Sequence, residues 1–185
     1  HLPDDQRASE LRNILADVYW IAGKIHAAIS MQKQAQAIAS RGLAQAQQSM
    51  ADAHTIYCWR MLEVDALLSL GLYHLDLWEL TDAAQFFRAV MAAAQDTPHQ
   101  SWADKASLCL ALVAAYSLPQ ELSEIYPHHP PDELAATLAA RAYRTIADTS
   151  RPEYTGRFAF FIQLLAQTYT QLGDAERATE LYERA

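Results

Sequence analysis

The sequence predicts an all-α protein of about eight helices with antiparallel neighbours. Three observations carry that expectation. Alanine occurs 35 times and glutamine 14 times in 185 residues; alanine is the best helix former and glutamine is also favourable. Glycine and proline number only 5 and 7, too few for the many tight turns of an all-β chain. Apolar residues recur at spacings of three and four, the period of a helix face. With 51% hydrophobic and 19% charged residues, the composition is globular, and the length fits one domain or a short repeat array.

The elements follow in order. Residues 5–29 carry an apolar stripe of Leu11, Ile14, Leu15, Val18, Ile21, Ala22, Ile25 and Ile29, read as one helix. Residues 32–48 form a second, Ala/Gln-rich helix with Ala35, Ile38, Ala39 and Leu43 on one side. A third spans 51–76 through Ile56, Met61, Leu62, Leu67, Leu68, Leu70 and Leu75. A fourth follows Thr81 or Asp82 and encloses Phe86, Phe87, Val90 and Met91 before Pro98 ends it. Ser101 and Asp104 make a capping box for a fifth, 102–117. A proline-rich loop, Leu118 to Pro131, separates it from a sixth, 132–148, whose Asp132 and Glu133 suit a helix N-terminus. Ser150 with Glu153 opens a seventh, 154–171; Gly173 breaks it and Asp174 caps the eighth.

The formal net charge is −8 and the sequence pI about 5.2. Nucleic-acid binding depends on Lys and Arg neutralising phosphates, so this acidic balance speaks against nucleic acid, and equally against an anionic membrane surface. The most apolar stretch, Val64 to Leu80, is interrupted by Asp65, His74, Asp76 and Glu79, so no membrane span is expected. Two cysteines, Cys58 and Cys109, do not make a disulfide scaffold and read as free thiols of an intracellular, cytoplasmic protein.

A repeat emerges from the C-terminal end. In a unit starting at Ala159, Ile162, Leu165, Ala166, Tyr169, Gly173, Ala178, Tyr182 and Ala185 fall at positions 4, 7, 8, 11, 15, 20, 24 and 27. Small residues at 8 and 20 let two antiparallel helices approach, and large residues fill the space between pairs. This pattern resembles the tetratricopeptide repeat (TPR). A unit starting at Val64 gives Leu67, Leu70, Gly71, Ala83 and Phe87 at 4, 7, 8, 20 and 24, with His74 at 11. A unit starting at Ala16 gives Tyr19, Gly23, Ala35 and Ala39 at 4, 8, 20 and 24. A third pair carries Leu112, Tyr116, Ala139 and Tyr143 if the proline-rich segment is an insertion. The resemblance implies antiparallel helix pairs stacked as a right-handed TPR-like superhelix, in one array over 1–185 with pairs near 5–48, 51–96, 102–148 and 154–185. Unit starts lie roughly 48 residues apart against the standard 34, so the helices are longer than usual.

The resemblance also implies a function: a non-catalytic scaffold that takes a protein or peptide segment in a concave groove lined by the first helices. Positions 2, 5 and 9 of the four units are Asp17, Trp20 and Lys24; Asp65, Leu68 and Leu72; Ser107, Leu110 and Ala114; and Phe160, Gln163 and Gln167. Among these Trp20, Lys24, Leu68, Leu72, Gln163 and Gln167 are the expected binding residues. The carboxylate clamp of chaperone-binding TPRs uses Lys and Asn; Lys24 is the only base in this set and no Asn occurs in it. The groove therefore reads as apolar with glutamine edges, suited to an amphipathic helix or apolar peptide. An alternative is the sensor or regulatory arm of a larger signalling protein or transcriptional regulator.

No catalytic motif is present: no Walker A, G-x-G-x-x-G, G-x-S-x-G or H-E-x-x-H occurs. His54 and Cys58 sit one helical turn apart, and His128 and His129 lie beside Asp132 and Glu133; neither set amounts to a metal site, and no cofactor is expected. Trp78 and Trp102, at helix ends, are expected to pack rather than bind. The loop 118–131 is expected on the array surface, with Leu122, Ile125 and Tyr126 closing one side of the groove. Because a solenoid repeat buries its apolar face only against a neighbour, Ala178, Leu181 and Tyr182 are expected near an open end. Either further chain or a second copy, as a homodimer, then covers the C-terminal end.

Overall fold

A computed structural model describes residues 4–94, ten positions between 102 and 140, and 157–184. Six helices are bounded among the described residues: α1 (Asp4–Ile21), α2 (Ile25–Gln48), α3 (Ala53–Asp76), α4 (Leu80–Ala94), α5 (Arg157–Gln171) and α6 (Ala175–Arg184). No strand occurs among them, and the fold is all-α. The chain divides into two compact units, His1–His99 and Gln100–Ala185. The proline-rich loop, His128 and His129, and both Ser-based capping boxes lie outside the described residues.

In the first unit α1 packs on α2, α2 on α3 and α3 on α4. The first break differs from the one read in the sequence. It falls at Ala22–Lys24, not after Ile29, because Gly23 adopts φ +72° and ends α1. Gly23 N–H donates to Trp20 O at 2.9 Å and Lys24 N–H to Tyr19 O at 2.8 Å. This is a Schellman C-cap, in which a left-handed residue lets the last carbonyls find donors. The same pair of bonds closes α5: Gly173 (φ +78°) donates to Thr170 O at 3.2 Å and Asp174 to Tyr169 O at 3.0 Å. It recurs at Met50 (φ +52°) and Trp78 (φ +59°), where L side chains occupy the left-handed position.

The turn fixes the repeat register. Gly23 is the structural counterpart of Gly173, a position 15, so it does not occupy the position 8 that a unit starting at Ala16 assigns to it. The first unit therefore starts at Ser9 and places Ala16 at 8, Tyr19 at 11 and Ala28 at 20; Ala16 and Ala28 are fully buried. Trp78 holds the same turn position in the unit starting at Val64. There position 8 is Gly71, and a Cβ on it would lie 2.4 Å from the Phe87 ring at position 24.

α1 is inside out relative to the usual amphipathic helix. Its inner side is polar: Gln6, Ser9 and Asn13 are buried beside Ala16. Ser9 Oγ donates to Ala35 O at 3.1 Å, Gln32 Nε2 to Asn13 Oδ1 at 2.9 Å, and Asn13 Nδ2 to Asp65 Oδ2 at 3.4 Å. Its stripe of Leu11, Ile14, Leu15, Val18 and Ile21 is exposed, where the periodicity alone implied core.

α3 starts at a true cap. Asp52 accepts from Thr55 N–H at 2.9 Å and from Thr55 Oγ1 at 2.6 Å, and these bonds hold its carboxyl below the ordinary value. Trp59 is buried against Gly42, whose missing Cβ would lie 2.5 Å from the indole. Trp78, expected to pack, is 66% exposed because it sits at the apex of the α3–α4 turn. In the second unit α5 pairs with α6. Ala178 and Leu181 are buried, and Glu176, Thr179, Glu180 and Glu183 are exposed. The outer side of α6 is thus polar, with Tyr182 the exposed large apolar residue on it.

Candidate functional site

Correcting the register moves two candidate residues. Trp20 stands at position 12, near the end of α1, and Lys24 belongs to the turn, as the residue before α2. Trp20 is half-buried where α1 meets α3. Its indole Nε1 donates to Asp76 Oδ2 at 2.5 Å, and its ring lies 5.4 Å from Tyr73 at a 47° tilt. Tyr73 OH in turn donates to Asp17 Oδ1 at 3.0 Å. Each helix thus gives one aromatic donor and one carboxylate acceptor, and the two bonds cross the seam in opposite directions. The register also explains Asp65 and Asn13: these seam positions bond each other rather than a ligand. Ala28, Ile29, Leu70 and Tyr73 form the core beneath, with Tyr19 and Trp20 packed on it.

The other candidates are placed as follows. Lys24 is exposed, Leu72 is half-buried, and Leu68 is 5% exposed and faces the interior. In the second unit Gln163 is exposed and Gln167 half-buried on α5.

Two groupings were not legible in the sequence as sites. A cavity of about 290 Å³ lies between α1, α2 and the start of α3, lined by Asp5, Arg12, Arg41, Gln45 and Trp59 among others. Arg12 donates to Ala8 O at 3.0 Å and to Gln34 Oε1 at 3.4 Å, and Arg41 Nε to Ala37 O at 3.3 Å. Both guanidiniums are therefore already engaged with acceptors of α1 and α2. At the α3–α4 turn, His74 Nδ1 lies 2.5 Å from Glu79 Oε2 and 4.0 Å from Asp82 Oδ2. The ring is buried, stacks on Phe86 with centroids 5.2 Å apart, and leaves Nε2 without a partner. A metal on Nδ1 would force the proton onto Nε2, which has no acceptor, whereas ligating histidines donate their second N–H. The donor set does not fit a metal; the contact between His74 Nδ1 and Glu79 ties the turn.

The Sγ of half-buried Cys58 lies 3.6 Å from Nε2 of exposed His54, one turn earlier on α3. Cys109 is buried and burial pushes its thiol up, with a smaller opposing effect from Lys105. Among the described residues no helix is long and apolar enough to cross a membrane.

Comparison with known proteins agrees with the sequence pattern where that pattern is fullest. The tetratricopeptide repeat family model matches residues 161–185. No curated protein gives a significant match. Among solved structures, the chain is similar to a candidate kinesin light chain from Podosopora anserina with nearly identical TPR-like repeats, at 18% identity, 100% coverage of this chain, 95% of that chain and a TM-score of 0.47. The expected resemblance to the TPR-like superfamily is borne out at α5–α6.

Proposed function

We propose that this chain, whose last helix pair matches a tetratricopeptide repeat, is a non-catalytic cytoplasmic scaffold that binds a protein or peptide segment along its first-helix surface. TPR repeats in general mediate protein–protein interaction, and the polar clusters described above serve turns and seams. The observation that carries the reading is Trp20. An aromatic ring held at a helix seam by a hydrogen bond and a second ring loses little freedom when a partner covers it, which is what an interface anchor needs.

In this reading Trp20 is the anchor, Lys24 and Leu72 flank it, and Leu68 backs the surface from inside. In the second unit Gln163 and Gln167 give α5 a polar edge of its own. The occupant is an apolar or amphipathic peptide, with Lys24 favouring a carboxylate near Trp20.

Selection of a displayed random-peptide library against the chain tests the reading. Peptides enriched on the wild type should lose binding to Trp20→Ala by tenfold or more, about 1.4 kcal/mol, with the melting transition retained. Equal binding of the same peptides by both proteins would remove Trp20 from the site.

A further inference from the structure

The cavity of about 290 Å³ lies at the end of α1 away from Trp20 and goes beyond that reading. The bonds that hold its two arginines also aim them. Arg12 donates to Ala8 O and Arg41 to Ala37 O, each four residues back on its own helix. Across the antiparallel α1–α2 seam Ser9 is bonded to Ala35 and Arg12 to Gln34, so Ala8 and Ala37 stand at about the same level. The two side chains therefore run toward each other along the seam, and both guanidiniums reach that level while lining one cavity. Like charges so placed repel, and a carboxylate ordinarily offsets them. Among the described residues neither Arg12 nor Arg41 has an ion-pair partner. The oxygens they bond are uncharged. A guanidinium carries five N–H donors, of which Arg12 spends two and Arg41 one.

We propose that this cavity binds a small carboxylic acid as its anion, the carboxylate across Arg12 and Arg41 and an apolar body against Ile38 and Trp59. Guanidinium and carboxylate match in a charge-assisted, two-pronged contact. The charge of the lining selects the class. Arg12, Arg41 and Asp5 together leave one positive charge, which a carboxylate neutralises. A phosphate monoester, at about −1.5 to −2, overshoots it beside Asp5. The wall selects the body: Gly42, whose Cβ would lie 2.5 Å from the Trp59 indole, lets that ring lie close against α2. The volume sits at the lower end of ligand cavities, about 300–1,000 Å³, and suits a small acid or the last residue of a chain. Arg41 belongs to a second helix of the array, so the site is separate from the first-helix surface.

Titration of the 15N-labelled full chain with sodium benzoate, followed by NMR, tests it. Benzoate should shift the Gly42 amide and Trp59 indole signals saturably. Benzamide, the same body without the charge, should not. Arg12→Gln and Arg41→Gln should each weaken benzoate binding tenfold or more with the melting transition retained, since Arg12 is half-buried and Arg41 exposed. Arg41→Lys keeps the charge and loses the fork, and should fall between wild type and Arg41→Gln. Acetyl-alanyl-phenylalanine separates the two sources of a carboxylate: binding tighter than benzoate supports a chain end as the ligand, and weaker binding supports a free acid. No saturable shift with either acid overturns the proposal. So do equal shifts with benzamide, tighter binding of inorganic phosphate, or benzoate binding unchanged in both Gln variants.

Discussion

Gly71 and Phe87 touch so closely that neither tolerates a larger partner: the ring of Phe87 occupies the space a Cβ on residue 71 would need, 2.4 Å away. The contact joins α3 to α4 at the paired small and large positions of the repeat. A helical Gly→Ala change ordinarily stabilises by about 1 kcal/mol. At Gly71 overpacking should outweigh that gain and leave a net loss of about 1–2 kcal/mol. Urea denaturation would read the loss as a lower midpoint. Phe87→Leu, destabilising alone by creating a cavity, should cost less in the Gly71→Ala background, because the two side chains compete for one volume.

The four left-handed turns give a second, opposite pair of expectations. At Gly23 and Gly173 nothing lies within 4 Å of an added Cβ, so Gly→Ala there changes backbone energy alone and should destabilise by about 1 kcal/mol. At Met50, φ +52° and 91% exposed, Met→Gly should stabilise by a few tenths to about 1 kcal/mol, the relieved strain less the added chain entropy. Thermal melts of the three single variants would show the two signs; a destabilised Met50→Gly would mean that side chain packs in solution.

These turns also explain what was readable in the sequence. The repeat was visible where glycine and large apolar residues fall on their template positions, as in α5–α6, and the unit from Val64 was found despite Trp78 standing where a glycine is usual. In the first unit the apolar stripe runs on through Ile21, Ala22, Ile25 and Ile29, so period alone hides Gly23 as a stop and shifts the repeat register. Period also cannot tell which side of a helix faces in. α1 buries Ser9 and Asn13 because their partners arrive from Ala35, Gln32 and Asp65, residues remote in sequence. The Trp20–Asp76 bond was invisible for the same reason: it joins two helices 56 positions apart.

The two thiols should react very differently. Cys109 is fully buried and its thiol is pushed up by desolvation, so it lacks both access and thiolate character. Cys58 is half-buried beside His54. Iodoacetamide applied to the folded chain should alkylate Cys58 alone, and both residues after denaturation, as mass spectrometry of the peptides would show.

The cap of α3 should make part of the stability acid-sensitive. Asp52 has its carboxyl lowered on folding, chiefly by the Thr55 hydroxyl and then by the Thr55 amide. A group whose pKa is depressed in the folded state contributes stability above its unfolded value, and the contribution disappears as pH falls through the folded value. The melting temperature should therefore drop on acidification through the carboxylate range. Asp52→Asn keeps an N-cap acceptor without the titration, so its melting temperature should fall less over the same interval than that of the wild type.

The polar underside of α1 makes the last expectation. Gln32 is fully buried, and its amide donates to Asn13 Oδ1 at 2.9 Å. Asn13→Leu removes that acceptor and strands the Gln32 donor, which should cost about 1–3 kcal/mol. Gln32→Leu alone strands the Asn13 carbonyl and should cost a similar amount. The double substitution removes that donor and acceptor together, the case in which least is lost, while the Asn13 bond to Asp65 at 3.4 Å is lost in Asn13→Leu and in the double variant alike. The double variant should thus lose less than the sum of the two single losses, a non-additivity that a double-mutant cycle by urea denaturation measures directly. Additive losses would show instead that α1 is held by its packing on Ala28 and Ile29 and that the buried amides contribute little.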